Sequence, residues 1–276
     1  MAASGDATGP GSARSQLLTV LGELVWPSGR AAWTASLLRV MEGLGIEERT
    51  ARQAIARSAR DGWIAPERVG RQTRWALAPQ LVRAFEEGTQ RVASLSEPFL
   101  DWDGTWLVLF VTVPHELRAV RKRLYARLEW AGFGNPGPGV WLSPHAERGA
   151  QLLRTIEELG LADSTLSFHG AIGAIGLSEA EIVASGWDTV ALAARYAALD
   201  AEFRDLDPAP GDATLYAHLR VLGALQAFPF LDPQLPEALL PDWIGRRVTA
   251  RMQELRRRWA PRVRRRWEEI DGEVDG

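Results

Sequence analysis

The chain has no cysteine, only one lysine (Lys122) and four histidines in 276 residues. The absence of cysteine excludes disulfides, thiolate metal sites and cysteine nucleophiles. No apolar run approaches the ~20 residues that a helix needs to cross a bilayer, so no membrane partner is expected. Residues 1–12 (MAASGDATGPGS) lack the basic and apolar regions of a signal peptide. We therefore expect a cytoplasmic protein that begins with a disordered tail over residues 1–12.

Negative charge is in slight excess, and the net charge of −3 by itself argues against a nucleic-acid partner. The positive charge is nevertheless clustered, because basic residues, almost all arginine, gather in residues 49–74, 118–127 and 246–266. A clustered cationic surface can bind nucleic acid whatever the net charge. A hydrophobic content of 46% supplies enough apolar material for two or three domains in a chain of this length.

Residues 13–93 form the first of three predicted segments. Leucines at helical spacing predict a helix that ends near Trp26 and Pro27. A second helix follows, with Thr34 as its N-cap, and a third helix covers residues 47–61. A β-hairpin is predicted over residues 63–77, and Pro79 then opens an exit helix.

Residues 94–177 form a middle segment in which strand and helix patterns alternate. The run WLVLFVTV at 106–113 is short, apolar and rich in β-branched residues, which is typical of a buried strand. The further elements are predicted in the order helix 115–131, turn 132–139, strand 140–142, helix 146–159 and strand 164–172. This βαβαβ-like order predicts a ferredoxin-like α+β domain.

Residues 178–276 form a third, helical segment. Helices are predicted over residues 181–206 and 213–227, followed by an irregular stretch at 228–243. In the final helix an apolar side chain recurs every third or fourth position, at Val248, Met252, Leu255, Trp259, Val263, Trp267 and Ile270. Pro261 lies inside this stripe and is expected to kink or break the helix.

The first segment has the order helix, turn, helix, basic hairpin, which is that of a winged helix-turn-helix. On the third helix a group of cations and one amide falls within about 80° of arc: Arg49, Gln53, Arg57 and Arg60. Small or apolar residues occupy the opposite side: Ala51, Ile55, Ser58 and Ala59. Cations and amides on an exposed helix suit base edges and phosphates in the major groove, and arginines around a glycine turn suit the adjoining phosphates.

The predicted DNA-binding residues are Arg49, Thr50, Arg52, Gln53, Arg57 and Arg60 on the third helix, and Arg68, Arg71 and Arg74 on the hairpin. Two alternatives remain open for this segment. One is a solvated basic helix beside an ordinary hairpin, and the other is a protein-interaction module built on the same topology.

Signals for catalysis or cofactor binding are weak. His145 and His169 have no carboxylate at metal-ligand spacing, which favours ordinary histidines over a metal site. The glycine-rich run GFGNPGPG at 132–139 follows a helix instead of joining a strand to one, so it is a turn and not a phosphate loop. Asp101 and Asp103 precede the first strand and are interpreted as a surface loop, with a Mg²⁺ pair as the alternative. We predict no catalytic, cofactor or metal site, and hence no enzyme.

Four stretches of the chain form a recognisable set: LGIEERTARQAIARSARDGWI with VGRQTRWAL, RKRLYARLEWAGFGNPGPGVWLSP, GWDTVALAARYAALDAEF and FPFLDPQLPEALLPDWIG. In this order they resemble the PaaX family, bacterial repressors of phenylacetate catabolism, from Ser12 to about Arg266. The resemblance implies an α+β protein with an N-terminal winged helix-turn-helix, a central ferredoxin-like domain similar to the small CRISPR-associated endoribonuclease fold, and a C-terminal helical domain. Carried over by position, it makes Arg49, Thr50, Arg52, Gln53 and Arg57 the DNA readers.

The resemblance further implies a homodimer on a palindromic operator in double-stranded DNA, from which an aryl-CoA thioester such as phenylacetyl-CoA releases it. The residues that bind this effector are not indicated. The sequence departs from the family in its hairpin, where Gln72-Thr73-Arg74-Trp75 replaces the usual aromatic ending. It also lacks the tryptophan expected before Phe228, and this second departure bears on the effector.

The function predicted from the sequence is therefore that of a transcriptional regulator, a dimeric repressor released by a small molecule. Two other classes remain open. One is a metal-dependent nuclease that uses the ferredoxin-like domain, although WLVLFVTV carries no carboxylate for a metal. The other is a CoA-thioester-binding module without a DNA function.

Overall fold

The computed structural model describes residues 12–275, so the predicted tail lies outside the described residues except for Ser12. The chain divides into two compact units. Unit 1 comprises residues up to 94 together with 200–227 and 249–276, and unit 2 comprises 95–199 and 228–248. Residues of the C-terminal segment belong to both units, so this division does not correspond to three consecutive domains. The boundaries 13–93, 94–177 and 178–276 stay a prediction.

The α-helices in chain order are α1 Ala13–Val20, α2 Thr34–Gly43, α3 Glu48–Arg60, α4 Pro79–Ser94, α5 Arg118–Trp130, α6 Gly149–Glu158, α7 Glu179–Gly186, α8 Thr189–Phe203, α9 Asp212–Leu225 and α10 Ile244–Asp275. The strands are β1 Ala32–Trp33, β2 Ile64–Val69, β3 Gln72–Leu77, β4 Trp106–Val111, β5 Gly134–Gly137, β6 Val140–Ser143 and β7 Thr165–Gly170. Among the described helices, none combines the length and the apolar character that crossing a membrane requires.

The first helices of unit 1 lie where the apolar spacing predicts them. α1 continues as a π-helical turn over Leu21–Val25 and ends in a 3-10 turn over Trp26–Ser28. Its leucines pack with α2 and α3 around a core that is fully shielded from solvent at Leu17, Leu21 and Leu37. Burial of this apolar face, more than helix propensity, holds three short helices together.

The predicted role of Thr34 as an N-cap is wrong. Thr34 is the first residue of α2, and Trp33 occupies the cap position. The Thr34 hydroxyl donates a hydrogen bond to the carbonyl of Thr73 (2.8 Å) and accepts one from the indole N–H of Trp75 (2.9 Å). It therefore connects α2 to strand β3.

The hairpin of unit 1 carries a third strand that sequence patterns did not predict. β2 and β3 pair antiparallel as the predicted hairpin, and the two-residue β1 adds to β3, giving the order β1-β3-β2. Ala32 lies opposite Trp75 and Trp33 lies opposite Arg74. Two residues are too few for an alternating pattern, which explains why β1 left no signal.

The last helix runs through Pro261 without ending, so of the two expected outcomes the break is wrong and the kink stays a prediction. The predicted apolar stripe of α10 is buried throughout its length, including Trp259 and Val263 on either side of the proline. Proline removes one backbone hydrogen bond and strains the preceding turn. Packing of large side chains on both sides offsets that cost.

Unit 2 is built on a four-stranded antiparallel sheet with the order β5-β6-β4-β7. Alternate residues of β4 face opposite sides, as the pleat of a strand requires. Leu107 and Leu109 pack on the side that holds α5 and α6, whereas Trp106 and Val108 pack with Ile182 of α7. The predicted alternation of strands and helices is confirmed, with one strand more than expected.

The interpretation of residues 132–139 as a turn is wrong in part, because Gly134–Gly137 form β5. A Cβ atom on Gly134 would lie 2.6 Å from the ring of Trp187. The same tryptophan donates its indole N–H to the carbonyl of Gly132 (3.2 Å). Glycine is therefore required at position 134, where the aromatic ring packs closely against strand β5.

The helix predicted over residues 181–206 is two helices, α7 and α8. They are separated at Trp187 and Asp188, where the Asp188 carboxylate accepts the backbone N–H of Ala191 (2.9 Å). The aspartate satisfies a free donor at the start of α8, as an N-cap residue does. The break allows Trp187 to reach Gly134.

The irregular stretch 228–243 is held in unit 2 by a buried carboxylate. Asp232 is 7% exposed and accepts hydrogen bonds from the Tyr196 hydroxyl (2.9 Å), the Trp243 indole N–H (2.8 Å) and the Gln234 backbone N–H (2.8 Å). Nearby, burial lowers the pKa of Arg148 to about 10, which leaves it charged at neutral pH. Arg148 donates to the carbonyl of Ala131 (2.7 Å).

We predict that Asp232→Ala lowers the free energy of unfolding by about 2–4 kcal/mol, because it leaves three donors unpaired in a buried site. Tyr196→Phe removes only one of those bonds and should cost about 1 kcal/mol. Guanidinium unfolding monitored by tryptophan fluorescence measures both. Asp163→Ala, at an exposed aspartate of the same unit, is the matched control, and equal midpoints for Asp232→Ala and Asp163→Ala would contradict the prediction.

Candidate nucleic-acid interface

The third helix of unit 1 has one buried face and one charged face. Ala51, Ala54, Ile55 and Ser58 are buried. All six predicted helix residues are exposed: Arg49, Thr50, Arg52, Gln53, Arg57 and Arg60. The predicted division into two faces is confirmed, except that Ala54 lies in the core while Ala59 is only partly buried.

Local sequence explains the ends of α3. Glu48 lies in its first turn and Arg57 and Arg60 lie in its last, so each charge is placed favourably toward the helix dipole. Gly62 has a φ of 72°, a left-handed conformation that ends helices at glycine. Next, the backbone N–H of Trp63 bonds to the carbonyl of Ser58 (2.9 Å), and β2 begins.

The arginines of α3 are not equivalent. Arg52 donates from Nε (2.8 Å) and Nη2 (2.6 Å) to the carboxylate of Glu48 one turn earlier. Within residues 12–275 no carboxylate lies within ion-pair distance of Arg49, Arg57 or Arg60. Arg49, Arg52 and Gln53 line one open depression on the surface together with Glu48. Three cations therefore face solvent without an internal partner.

The hairpin places its arginines around a tight turn. Val69 pairs with Gln72, so only Gly70 and Arg71 form the turn, and Gly70 has a φ of 60°. A two-residue turn that matches the twist of a hairpin needs such a positive φ, which glycine adopts without strain. Arg71 is exposed at the tip.

The remaining hairpin arginines differ in their partners. Arg68 is exposed, and the described residues offer it no ion pair. Arg74 is half-buried, donates to the Glu67 carboxylate of the neighbouring strand (2.9 Å), and lies 5.8 Å from the ring centre of Trp33.

Several residues that support this surface were missed by the sequence patterns. Arg14 of α1 forms an ion pair with Asp61 (2.5 Å) and stacks on Trp63, with 4.0 Å between the guanidinium carbon and the ring centre. Asp61 and Trp63 join α3 to the hairpin, so Arg14 fixes that connection. Glu48 and Glu67 offset two of the predicted cations. The i,i+4 spacing of Glu48 and Arg52 is a local signal that could have found that pair, whereas Arg14 and Asp61 are too far apart in sequence for a periodic signal.

Within residues 12–275 no three histidine, aspartate or glutamate side chains are grouped closely enough to hold a metal ion. Asp103 accepts hydrogen bonds from the backbone N–H (2.8 Å) and hydroxyl (2.7 Å) of Thr105, which lower its pKa and form a local loop.

His145 is buried, and its Nε2 lies 3.1 Å and 3.0 Å from the carbonyl oxygens of Pro233 and Gln234. Burial, together with the charge of Arg148, lowers the pKa of His145. His145 therefore occupies a buried, hydrogen-bonded position in unit 2 and not an exposed one.

Comparison with known proteins covers most of the chain. Residues 12–81 match the model of the PaaX-like protein family, residues 100–182 match the PaaX protein central Cas2-like domain, and residues 187–269 match the PaaX-like protein C-terminal domain. The chain is 29% identical over 250 residues to the transcriptional repressor PaaX of Escherichia coli K12, covering 86% of this chain and 77% of that protein.

Among solved structures, the fold is similar to that of the uncharacterized protein Rv0674 from Mycobacterium tuberculosis. The TM-score is 0.61 at 20% identity, over 91% of this chain and 96% of the other. This likeness concerns the fold alone. Three consecutive family models, matched in order, carry the assignment. The chain belongs to the PaaX family.

Proposed function

We propose that the protein is a transcriptional repressor that binds double-stranded DNA through α3 and the β2–β3 hairpin. The observation that carries the proposal is the two-faced character of α3, with small residues buried and unpartnered cations exposed. The name of the Escherichia coli relative, a transcriptional repressor, supports the same role. A regulator of this kind needs no cofactor and is not an enzyme.

For unit 1 we propose a winged helix-turn-helix. α2 and α3 are the two helices, and the hairpin with β1 is the wing. In such modules the second helix lies in the major groove, whose width fits an α-helix. For unit 2 we propose a ferredoxin-like domain, supported by the antiparallel order β5-β6-β4-β7 with α5 and α6 on one face.

The exposed side chains of α3 divide by what they can recognise. Arg49 and Gln53 are suited to read guanine and adenine edges, because a guanidinium and an amide can each form two hydrogen bonds to one base. Thr50, Arg57 and Arg60 are suited to phosphates, as is Arg52 once it leaves Glu48.

The wing contributes contacts that do not depend on sequence. Arg68 and Arg71 are exposed and have no ion-pair partner among the described residues, so both are available to phosphates. Arg74 contributes less, since Glu67 already neutralises it.

A homodimer on a palindromic operator completes the proposal. Two copies related by a two-fold axis present two recognition helices to two half-sites. An aryl-CoA thioester, phenylacetyl-CoA or another acyl-CoA, is the proposed effector that releases the operator. Neither a nuclease nor a binding module without a DNA function has a specific observation in its favour.

The first test separates base readers from phosphate contacts. Arg49→Ala and Gln53→Ala should each cost about 1–3 kcal/mol at the operator and relax its sequence preference, whereas Arg71→Ala should weaken binding to all duplexes alike. The operator is first isolated by selection from a random duplex library, and affinities are measured by fluorescence anisotropy at fixed salt. Arg262→Ala, at an exposed arginine outside both elements, is the control. An Arg49→Ala/Gln53→Ala variant with wild-type affinity and preference would show that α3 does not read DNA.

The ion pair on α3 leads to a second prediction. Glu48→Gln removes a charge that repels phosphate and frees Arg52, so affinity for DNA of any sequence should rise. The slope of log affinity against log salt should steepen by about one phosphate contact. Glu47→Gln changes a neighbouring exposed carboxylate that has no described partner and should leave the contribution of Arg52 unchanged. A slope that is the same in Glu48→Gln and Glu47→Gln would exclude Arg52 as a phosphate contact.

The third test concerns symmetry. A dimer should protect two half-sites whose centres are separated by one helical turn of DNA (~34 Å) or a multiple of it. Footprinting of the selected operator measures the spacing, and light scattering measures the mass of the free protein. A single protected half-site together with a monomeric mass would rule out the dimer while leaving the DNA contact of α3 in place.

A further inference from the structure

The C-terminal end of α10 contacts two elements of the proposed winged helix-turn-helix. From residue 249 onward α10 belongs to unit 1, as do α2 and the strands of the wing. One oxygen of the Asp271 carboxylate accepts the backbone N–H of Trp33 in β1 (3.2 Å). The Glu273 carboxylate forms a hydrogen-bonded ion pair with Arg39 of α2. These pairs join residues 238 and 234 positions apart, so both contacts arise only in the folded chain.

A third contact reaches the hairpin itself. The side-chain amide nitrogen of Gln72 lies 3.5 Å from the backbone carbonyl oxygen of Val274. Gln72 is the first residue of β3 after the hairpin turn. The last four carbonyls of an α-helix have no donor within the helix, so this one is available to a partner outside α10. Asp271, Glu273 and the Val274 carbonyl together form what we call the C-terminal clamp.

The composition of this helix end is not what an isolated helix favours. The C-terminal end of a helix dipole is negative and favours nearby cations, by about 0.3–1 kcal/mol per charge. The last turn of α10 contains no basic residue, and Asp271 and Glu273 place carboxylates near this end instead. A backbone N–H and a guanidinium from outside the helix match their charge. The acidic end is therefore explained by its contacts with β1 and α2, and not by the stability of α10 itself.

Contacts along its length hold α10 within unit 1, so its end can act as a support. The apolar stripe of the helix is buried, including Trp259 and Trp267. The Glu23 carboxylate accepts a hydrogen bond from Arg256 of α10 (2.7 Å), and its other oxygen lies 2.5 Å from Nε2 of His218 in α9. Movement of the end of α10 relative to the rest of unit 1 would disrupt these contacts.

Strand β1 connects the clamp to the hairpin. Trp33 pairs with Arg74 of β3, and its ring centre lies 5.8 Å from the Arg74 guanidinium carbon. The hydroxyl of the next residue, Thr34, donates to the carbonyl of Thr73 in β3 (2.8 Å). Because β1 has only two residues and is an outer strand of its sheet, few backbone hydrogen bonds can hold it. Asp271 supplies a further contact to this strand.

We propose that Asp271 and Glu273 are positioning residues that hold the wing for its contacts with phosphates. This role rests on the proposed DNA-binding function, because the wing cations that it serves are Arg68 and Arg71. Neither arginine has an ion-pair partner among the described residues, so the position of the hairpin determines where their charges lie. The clamp contacts β1, α2 and β3, and its loss should therefore affect these phosphate contacts more than the base readers of α3.

Hydrogen exchange on the full chain without DNA tests the clamp. In Asp271→Ala the Trp33 amide loses its acceptor and should exchange about tenfold faster, together with the amides of β3. Asp271→Asn keeps an acceptor oxygen and should stay close to wild type. The matched control is Glu268→Ala, which removes an exposed α10 carboxylate without an ion-pair partner in the described chain. Equal exchange in Asp271→Ala and Glu268→Ala would overturn the proposal.

Binding to the selected operator and to a random duplex of equal length, measured at several salt concentrations, tests the effect on DNA. Asp271→Ala should weaken binding to both duplexes by about tenfold and lower the salt slope by about two phosphate contacts, those of Arg68 and Arg71. The ratio of the two affinities should stay as in wild type, because the base readers are intact. A lower ratio with an unchanged slope would contradict the role of the clamp in the wing.

Exchanging the charges of the second pair keeps the proposal testable if Asp271→Ala does not fold. Arg39→Glu and Glu273→Arg each break the ion pair, and the double variant restores it in reverse with the net charge of wild type. Each single variant should speed exchange in the wing, and the double variant should return both exchange and salt slope to near the wild-type values. A double variant as defective as the worse single variant excludes Glu273 as a positioning residue.

The two measurements separate the clamp from the proposed function. If the wild-type protein binds its operator and Asp271→Ala leaves the affinity and the salt slope unchanged, the role of the clamp fails and the DNA-binding function stands. If the wild-type protein binds neither duplex at any salt concentration, the DNA-binding function itself fails, whatever the exchange rates of the wing.

Discussion

The burial of small side chains on one face of α3 determines where its charges lie. Ala51, Ala54 and Ser58 allow this helix to pack against α1 and α2. A larger residue at any of these positions would separate the helices or turn α3 about its axis. Because successive residues differ by about 100° in direction, the same burial fixes Arg49, Gln53 and Arg57 on the solvent side. The packing of α3 in the core therefore also determines which of its side chains are exposed.

Sequence patterns predicted the elements whose stability is local or periodic. Short stretches of sequence were sufficient to predict three of these elements. They are the two-faced α3, the hairpin turn at Gly70 and the apolar stripe of α10. The errors arise where distant residues decide the outcome. Pro261 is tolerated because buried side chains on both sides of it hold the helix.

The candidate site likewise has features that local sequence predicts and features that depend on distant residues. All nine candidate residues could be named from helical spacing and turn chemistry, and eight of them are exposed, with Arg74 half-buried. Their charge balance could be predicted only in part: Glu48 and Arg52 have the i,i+4 spacing of a helix pair, whereas Glu67 neutralises Arg74 across two strands. Glu23 and His218, whose side chains meet beside α10, are 195 positions apart. No local pattern joins them, and only the folded chain brings them together.

Five of the ten arginines in α10 form ion pairs within the described chain. Arg256 compensates the buried Glu23, and Arg266 binds both Asp212 (2.7 Å) and Glu269 (2.9 Å). These side chains hold α10 to α1 and α9 within unit 1. A count of basic residues therefore overstates the surface that is available to phosphates. The negative net charge and a cationic α3 are compatible because pairing is uneven along the chain.

The contact between Gly134 and Trp187 makes two positions 53 residues apart dependent on one another. No side chain fits at 134 while the indole of Trp187 occupies its place. Substitutions at the two sites should consequently be non-additive, since a smaller ring at 187 relieves the clash that a larger residue at 134 creates. In related proteins that carry a substitution at one of these two positions, we expect a substitution at the other as well. Related proteins that keep the glycine in β5 should then also keep the break between α7 and α8.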